Sequence, residues 1–296
     1  MQSSPKAGAG NSTKRMYDAG FPSDVSRLQR ARGELRVQVA VRNGATVLDR
    51  LFQTGNLKAR FPRGAVRGWL DIVTLNTSGG IAGGDRLIST FRVEADARAT
   101  IAGQAAERYY RVSPCSPAAQ VRTRIWLGNA AAAEWLPQET ILFDDCAMDR
   151  QLDIEMSASS WFVGVETLVF GRAAMGERVR KGQIHDAIRL RRAERLIWHD
   201  TVRMNGEIHA LLRRPAVAHG AGAVATLVHV APGAEQRVDA VRAALEPMPA
   251  ESGVSVWDGM LIARLLAPDA APLRQALIAA LEVVREYRPL PRVWLC

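Results

Sequence analysis

Four glycines fall within six residues in Leu75-Asn76-Thr77-Ser78-Gly79-Gly80-Ile81-Ala82-Gly83-Gly84-Asp85. Residues without a side chain let the backbone approach another group closely, and a phosphate is the first candidate. Gly79 and Gly84 have P-loop spacing, but Asp85 and Arg86 stand where a lysine and a hydroxyl residue must stand. An aspartate there repels a phosphate. No G-x-G-x-x-G opens a helix, so the dinucleotide fingerprint is missing too. Two readings of Gly79, Gly80, Gly83 and Gly84 stay open: a tight β-turn, or a functional contact loop.

Covalent and metal chemistry find little support. Ser78 lies beside glycines but outside G-x-S-x-G, so there is no nucleophile elbow. His185, His199, His209, His219 and His229 have no H-x-x-x-H, H-E-x-x-H or cysteine partner at chelating spacing. Each reads as a structural or surface histidine. Cys115, Cys146 and Cys296 are odd in number and widely spaced, against a disulfide framework or a cysteine zinc site. Glu166, Glu177 and Asp200 could pair as acid and base only if folding brought them together, which spacing cannot show. No residue is assigned a catalytic role. A loose path for a metal ion, along scattered carboxylates and carbonyls, stays open.

The elements that must position these residues are mostly strands. Leu35, Val37, Val39 and Val41 alternate with Arg36, Gln38 and Ala40, as a half-buried strand does. Asn43-Gly44 follows, then a second run over Ala45–Gln53, the pattern of a hairpin. Alternation returns at Val121–Leu127 and Leu152–Met156. Trp161–Phe170 and Ala223–Val230 are more continuously apolar, as strands buried on both faces would be. No strand alternates regularly with a helix, so a doubly wound α/β sheet is not expected. The end of the chain changes character. Val238, Val241 and Leu245 mark a short helix around 236–247. Leu273, Leu277, Leu281 and Val284 mark a longer one around 270–287, with Asp269 as cap and Pro272 in its first turn. A hairpin across Asp258-Gly259 lies between them. The expected organisation is a disordered tail over 1–25, then one mainly β domain over 26–296. That domain is β-rich to about 230 and carries a small α/β portion over 231–296.

The 296 residues are 48% hydrophobic and 23% charged, a globular composition with room for a sizeable core. No run approaches the roughly 18 apolar residues of a membrane span, and no signal peptide is evident, so a cytoplasmic protein is expected. Lys+Arg is 39 against Asp+Glu 30, a net charge of +9. Arg27, Arg30, Arg32 and Arg36 form one cluster, and Arg189, Arg191, Arg192 and Arg195 another. Aromatics are only 6%, and no recognition motif accompanies the arginines. A solvated surface or a dock for an acidic protein is favoured over nucleic acid. On composition alone, the chain reads as a basic β-scaffold binding nucleic acid or an acidic protein.

Six segments, in order, resemble one family and offer a sharper reading. They are LNTSGGIAGGD (75–85), AERYYR (106–111), EWLPQETILF (134–143), FGRAAMGE (170–177), RRAERLIWHD (191–200) and the terminal PRVWL (291–295). Together they look like urease accessory protein D, called H in some organisms, from about residue 30 to the end. Ser78 departs from the alanine or proline expected in the glycine loop. The resemblance implies a β-helix-like stack of strands with two C-terminal α-helices, and a non-enzymatic role. It implies a maturation chaperone for nickel insertion into urease. Its partners would be the urease apoprotein, accessory protein F and, through F, accessory protein G. Nickel would be in transit, with no permanently bound cofactor. Isolated carboxylates suit an ion that must leave again. The resemblance places Asp85, Glu107 and Glu166 on the wall of a nickel tunnel, with Glu177 and Asp200 as extensions and Gly79, Gly80, Gly83 and Gly84 as a binding loop. The basic β-scaffold remains the alternative.

Overall fold

The computed structural model describes residues 30–64, 66–113, 116–172 and 175–295. The tail expected over 1–25, Cys115, Cys296, and Ala173 and Ala174 of the fourth motif lie outside the described residues.

Two sheets carry the fold. The seven-stranded sheet runs β14 (Arg195–Gly206), β13 (Gly182–Arg192), β11 (Cys146–Met156), β8 (Ala119–Leu127), β5 (Arg86–Val93), β1 (Arg32–Arg42) and β2 (Ala45–Thr54). Strands β1, β5, β8, β11 and β13 are parallel, and the two ends are closed by antiparallel hairpins. The ten-stranded sheet runs β16 (Glu251–Trp257), β17 (Met260–Ala267), β15 (Ala223–Val230), β12 (Trp161–Phe170), β9 (Ala132–Leu136), β6 (Arg98–Gly103), β4 (Leu70–Asn76) and β3 (Leu57–Arg60). Short strands β10 (Thr140–Leu142) and β7 (Glu107–Tyr109) attach beside β12.

From β4 to β13 the chain passes repeatedly between the sheets, leaving a strand in each. That is the β-helix-like stack expected, and no barrel is closed among the described residues. The Asn43-Gly44 turn has positive φ at both residues, 51° and 74°, as a hairpin of primed type requires.

Burial explains the two sequence patterns. Sheet residues Val37, Phe91, Ile125, Ile154, Ile72 and Phe162 share one core between the sheets. The seven-stranded sheet is therefore buried on one face, and its strands alternate. The ten-stranded sheet has a second core on its other side. There Val163, Leu227 and Leu265 meet Leu273, Leu277 and Leu281 of helix α3 and Val241 of helix α2. Strands β12 and β15 are consequently apolar on both faces. Helix α2 covers Val238–Leu245 and α3 covers Ala270–Val284, while α1 is a short turn at Ile208–Leu212. Asp269 caps α3 as expected, its Oδ1 accepting from Ala271 N–H at 3.0 Å. The helix ends before 287 because Glu286 and Tyr287 both take positive φ.

His229 on β15 is buried in this layer. Its Nδ1 lies 3.2 Å from the Phe162 carbonyl, which can only accept, and Trp161 stacks on it edge-on at 5.4 Å. Burial lowers its pKa from 6.5 to about 4, with Arg237 and Arg288 adding to the shift and the Phe162 carbonyl and Glu286 opposing it. Between those values the unfolded chain binds the proton and the folded one does not. Stability from this group is present above pH 6.5 and is lost as pH falls toward 4, by about 3 kcal/mol in all. His229→Gln is expected to flatten the unfolding free energy across that window relative to wild type. Parallel curves for the two proteins would remove histidine from the explanation.

Candidate functional site

The glycine loop joins β4 to β5 and packs on the next motif along the chain. Ile81 N–H donates to the Arg108 carbonyl at 2.7 Å, and Tyr110 N–H donates to the Ile81 carbonyl at 2.9 Å. Tyr110 hydroxyl donates to the Gly79 carbonyl at 2.8 Å. Gly80 has φ of 152°, and a Cβ there would stand 2.3 Å from the Tyr110 ring. This glycine therefore serves close packing between two segments of the chain. Asp85 ends the loop, 4% exposed. Its two carboxylate oxygens accept from Ala31 N–H and Ala82 N–H, both at 2.8 Å.

Behind this loop, between the two sheets, lies a cavity of about 270 Å³. Gly79, Gly80 and Asn76 contribute to its wall, with Glu107, Tyr109, Arg150 and Glu166. Asn76 donates to Glu107 Oε2 at 2.9 Å and takes a hydrogen bond from Asn56 at 2.7 Å. Burial raises the pKa of Glu107, against the pull of the Asn76 hydrogen bond and of Arg150 and Arg108.

Arg150 is the centre of charge. It donates to both oxygens of Asp186, at 2.9 and 2.6 Å, and to Thr140 Oγ1 at 2.8 Å. Its Nη1 also lies 2.7 Å from Glu166 Oε2. That contact is an ion pair without hydrogen-bond alignment, so Glu166 Oε2 keeps an unsatisfied lone pair. Glu166 Oε1 accepts from Trp135 Nε1 at 2.8 Å. Burial raises the Glu166 pKa and Asp186 adds to it, while Arg150 opposes. Burial disfavours the charge on Arg150, but Asp186 and Glu166 outweigh it and hold the guanidinium cationic. Tyr109, 2% exposed, leaves its hydroxyl without a partner on the same wall, and burial keeps the phenol protonated. Two buried oxygens without a hydrogen-bond partner thus border one cavity.

Glu166 also borders a second, much smaller space of about 20 Å³, which Asp186 and Asp200 line. Asp200 pairs with Arg264 across the sheets at 2.8 Å. The fold thereby brings Glu107 and Glu166 to one cavity and Glu166 and Asp200 to the next. It does not bring Asp85 or Glu177 to either wall. Glu177 pairs with Arg172 on a surface loop. Gly83 packs against Val112 and Ser116, and Gly84 against Arg30. A larger hollow of about 350 Å³ near Ala218 and Pro268 carries only His219 and Glu251 as titratable groups, and they pair with each other.

Arg150 and Asp186 are site residues outside the six motifs, and Tyr109 lies inside AERYYR with no role assigned to it from sequence. A signal existed: Arg150 shares strand parity with Leu152, Ile154 and Met156, and Asp186 with Ile184 and Ile188. A charge on the apolar face of a strand marks a buried polar site. Among the described residues, no three of His, Cys, Asp and Glu are grouped so as to hold a metal ion. The oxygens here form a sequence of single carboxylates.

The comparisons with known proteins agree with one another. A family model described as UreD urease accessory protein matches residues 31–295. Urease accessory protein UreD of Methylobacterium sp. (strain 4-46) is 44% identical over 276 residues, 90% of this chain and 96% of the relative. Urease accessory protein UreD 2 of Methylorubrum populi is 40% identical over 297 residues, 98% and 99% of the two chains. UreD of Xanthobacter autotrophicus is 42% identical over 266 residues, 90% of each.

Proposed function

The chain belongs to the UreD urease accessory protein family, and we propose that it serves urease maturation as a chaperone and scaffold for nickel insertion. In this reading it holds the urease apoprotein on one side and accessory protein F on the other, with accessory protein G reached through F. It acts in the cytoplasm and catalyses no reaction. Nickel is cargo, and no cofactor is resident.

The observation that carries the nickel reading is the pair of spaces that share Glu166 and have carboxylates in their walls. A divalent ion in transit needs oxygen donors that are separated, so that none traps it. Glu107, Glu166 and Asp200 supply such a sequence. The Tyr109 hydroxyl has no hydrogen-bond partner, and Oε2 of Glu166 is held by the Arg150 ion pair alone, which a passing cation would have to loosen. Asp85 contributes by fixing the glycine loop, since its oxygens are engaged by backbone N–H groups. Glu177 stays on the surface, paired with Arg172 and outside the passage.

Two measurements test the reading in order. Mixed at micromolar concentration with accessory protein F and the urease apoprotein, the chain is expected to elute from a sizing column as one complex. Separate elution of well-folded components would sink the scaffold role. Glu107→Gln and Glu166→Gln remove a negative charge each and keep the side-chain shape. Each is expected to lower the nickel content of urease matured with the intact complex. Wild-type nickel in both variants would reject the passage through these residues and leave the scaffold role standing.

A further inference from the structure

We propose that the bare outer face of the seven-stranded sheet is a docking surface for an acidic protein, engaged through Arg124 and Arg191; the proposal rests on the scaffold role above. Parallel sheets are almost always covered on both faces. Here helix α3 packs on β15 and β17, and α2 on α3 and β16, so the long helices cover only the ten-stranded sheet. The five parallel strands of the other sheet turn their outer side chains to solvent, and no described helix lies upon them.

Register sets those side chains in rows. Arg36, Thr90, Arg124, Asp153 and Arg189 lie abreast across β1, β5, β8, β11 and β13. The next row holds Arg92, Trp126, Glu155 and Arg191. Most of these cations are engaged. Arg189 donates to Asp153 at 2.9 Å, Arg36 pairs with Glu34, and Arg92 stacks over Trp126 at 4.6 Å. Arg124 and Arg191 have no partner among the described residues. Both border a depression of about 390 Å³ that Trp126 also lines.

The composition selects the partner. Arginine and tryptophan around a depression, beside exposed Ile88 and Phe52, is the make-up of a protein-binding hot spot. Asp153 and Glu155 interrupt the positive rows, and a continuous polyanion such as duplex DNA would meet them at each step. Discrete carboxylates on a folded surface would meet only the free guanidiniums. Arginine also holds a carboxylate by two parallel hydrogen bonds, which fixes orientation as well as charge.

The test uses the full chain, the double variant Arg124→Glu/Arg191→Glu, and the milder Arg124→Ala/Arg191→Ala. Arg213→Glu/Arg214→Glu is the control, with the same charge change at the exposed end of α1. All four are titrated at about 0.15 M salt with the urease apoprotein, poly-L-glutamate and a random DNA duplex. Both sheet variants are expected to bind the urease apoprotein at least about tenfold more weakly, with a shallower salt dependence, and the control to match wild type. Unchanged binding in the sheet variants, or equal loss in sheet variants and control, overturns the surface. DNA bound more tightly than either protein probe, and lost with the same arginines, overturns the choice of partner. If wild type ignores the urease apoprotein, the scaffold role fails, and poly-L-glutamate decides the surface by the same comparison.

Discussion

Glu134→Leu is expected to lower the unfolding free energy by about 3–5 kcal/mol, the cost of leaving a buried cation without its counter-ion. Glu134 is fully buried on β9, and Arg285, at the end of α3, is 2% exposed. Arg285 Nε and Nη2 donate to the two carboxylate oxygens at 2.9 and 3.0 Å. Arg288 donates to Oε1 at 2.7 Å, and Thr100 hydroxyl to Oε2 at 2.8 Å. The carboxylate therefore pins the end of α3 to the ten-stranded sheet. Arg285 also donates to the carbonyls of Arg288 and Pro289, which would otherwise be left open after the helix. Arg288 itself lies over both Trp69 and Trp161, its guanidinium 4.6 and 4.9 Å from their ring centroids. Arg285→Met should cost less than Glu134→Leu, because Arg288 remains to balance the carboxylate. The double variant Glu134→Leu/Arg285→Met should recover part of the loss, since no charge is then stranded between them. Urea denaturation of the three variants gives the order directly. A Glu134→Leu protein as stable as wild type would show that water reaches this cluster and that burial is not what holds it.

The fold was legible where local patterns decide it. The Asn43-Gly44 hairpin, the apolar runs of β12 and β15, and the Asp269 cap all depend on residues close in sequence, and each stands where the pattern put it. The β13–β14 hairpin is not legible as strands from sequence, because its outward positions include arginines and histidines that obscure the alternation. Parallel register was beyond reach. Asp153 pairs with Arg189 and stands abreast of Arg124 only because β11 lies between β8 and β13, and no local signal encodes that neighbourhood. The site shows the same division. The glycine loop was conspicuous in sequence, yet its close contacts are with Tyr110 and Val112 of this same chain. In the charge centre, strand parity could mark Arg150 and Asp186 singly as buried charges, but their pairing across 36 residues depends on the β11–β13 register, which no local pattern encodes.

Arg150→Met is expected to destabilise the protein in a pH-dependent way that reports on this charge centre. In wild type one guanidinium serves two carboxylates, Glu166 and Asp186, whose side chains are 8% and 7% exposed. Methionine fills comparable space and strands both anions in a setting that already raises the Glu166 pKa. At pH 8 the loss should approach about 3–5 kcal/mol, as for a broken buried pair. The sign of the pH effect follows from the direction of the shift. Without Arg150 the folded state holds a proton on the carboxylate pair at pH values where the unfolded chain has released it. The variant therefore gains stability relative to wild type as pH falls from 8 toward the ordinary carboxylate range, and the penalty shrinks. Adding Glu166→Gln and Asp186→Asn to Arg150→Met should abolish both the penalty's pH dependence and most of its size. Unfolding free energies at pH 8 and pH 5.5 for the single and triple variants decide it. A penalty of equal size at both pH values would mean that Arg150 acts through its bond to Thr140 and through packing, with Glu166 and Asp186 already solvated. In that case the narrow space beyond Glu166 is open to water in the folded protein, and a passing cation would meet hydrated carboxylates instead of a charge-balanced, dry constriction.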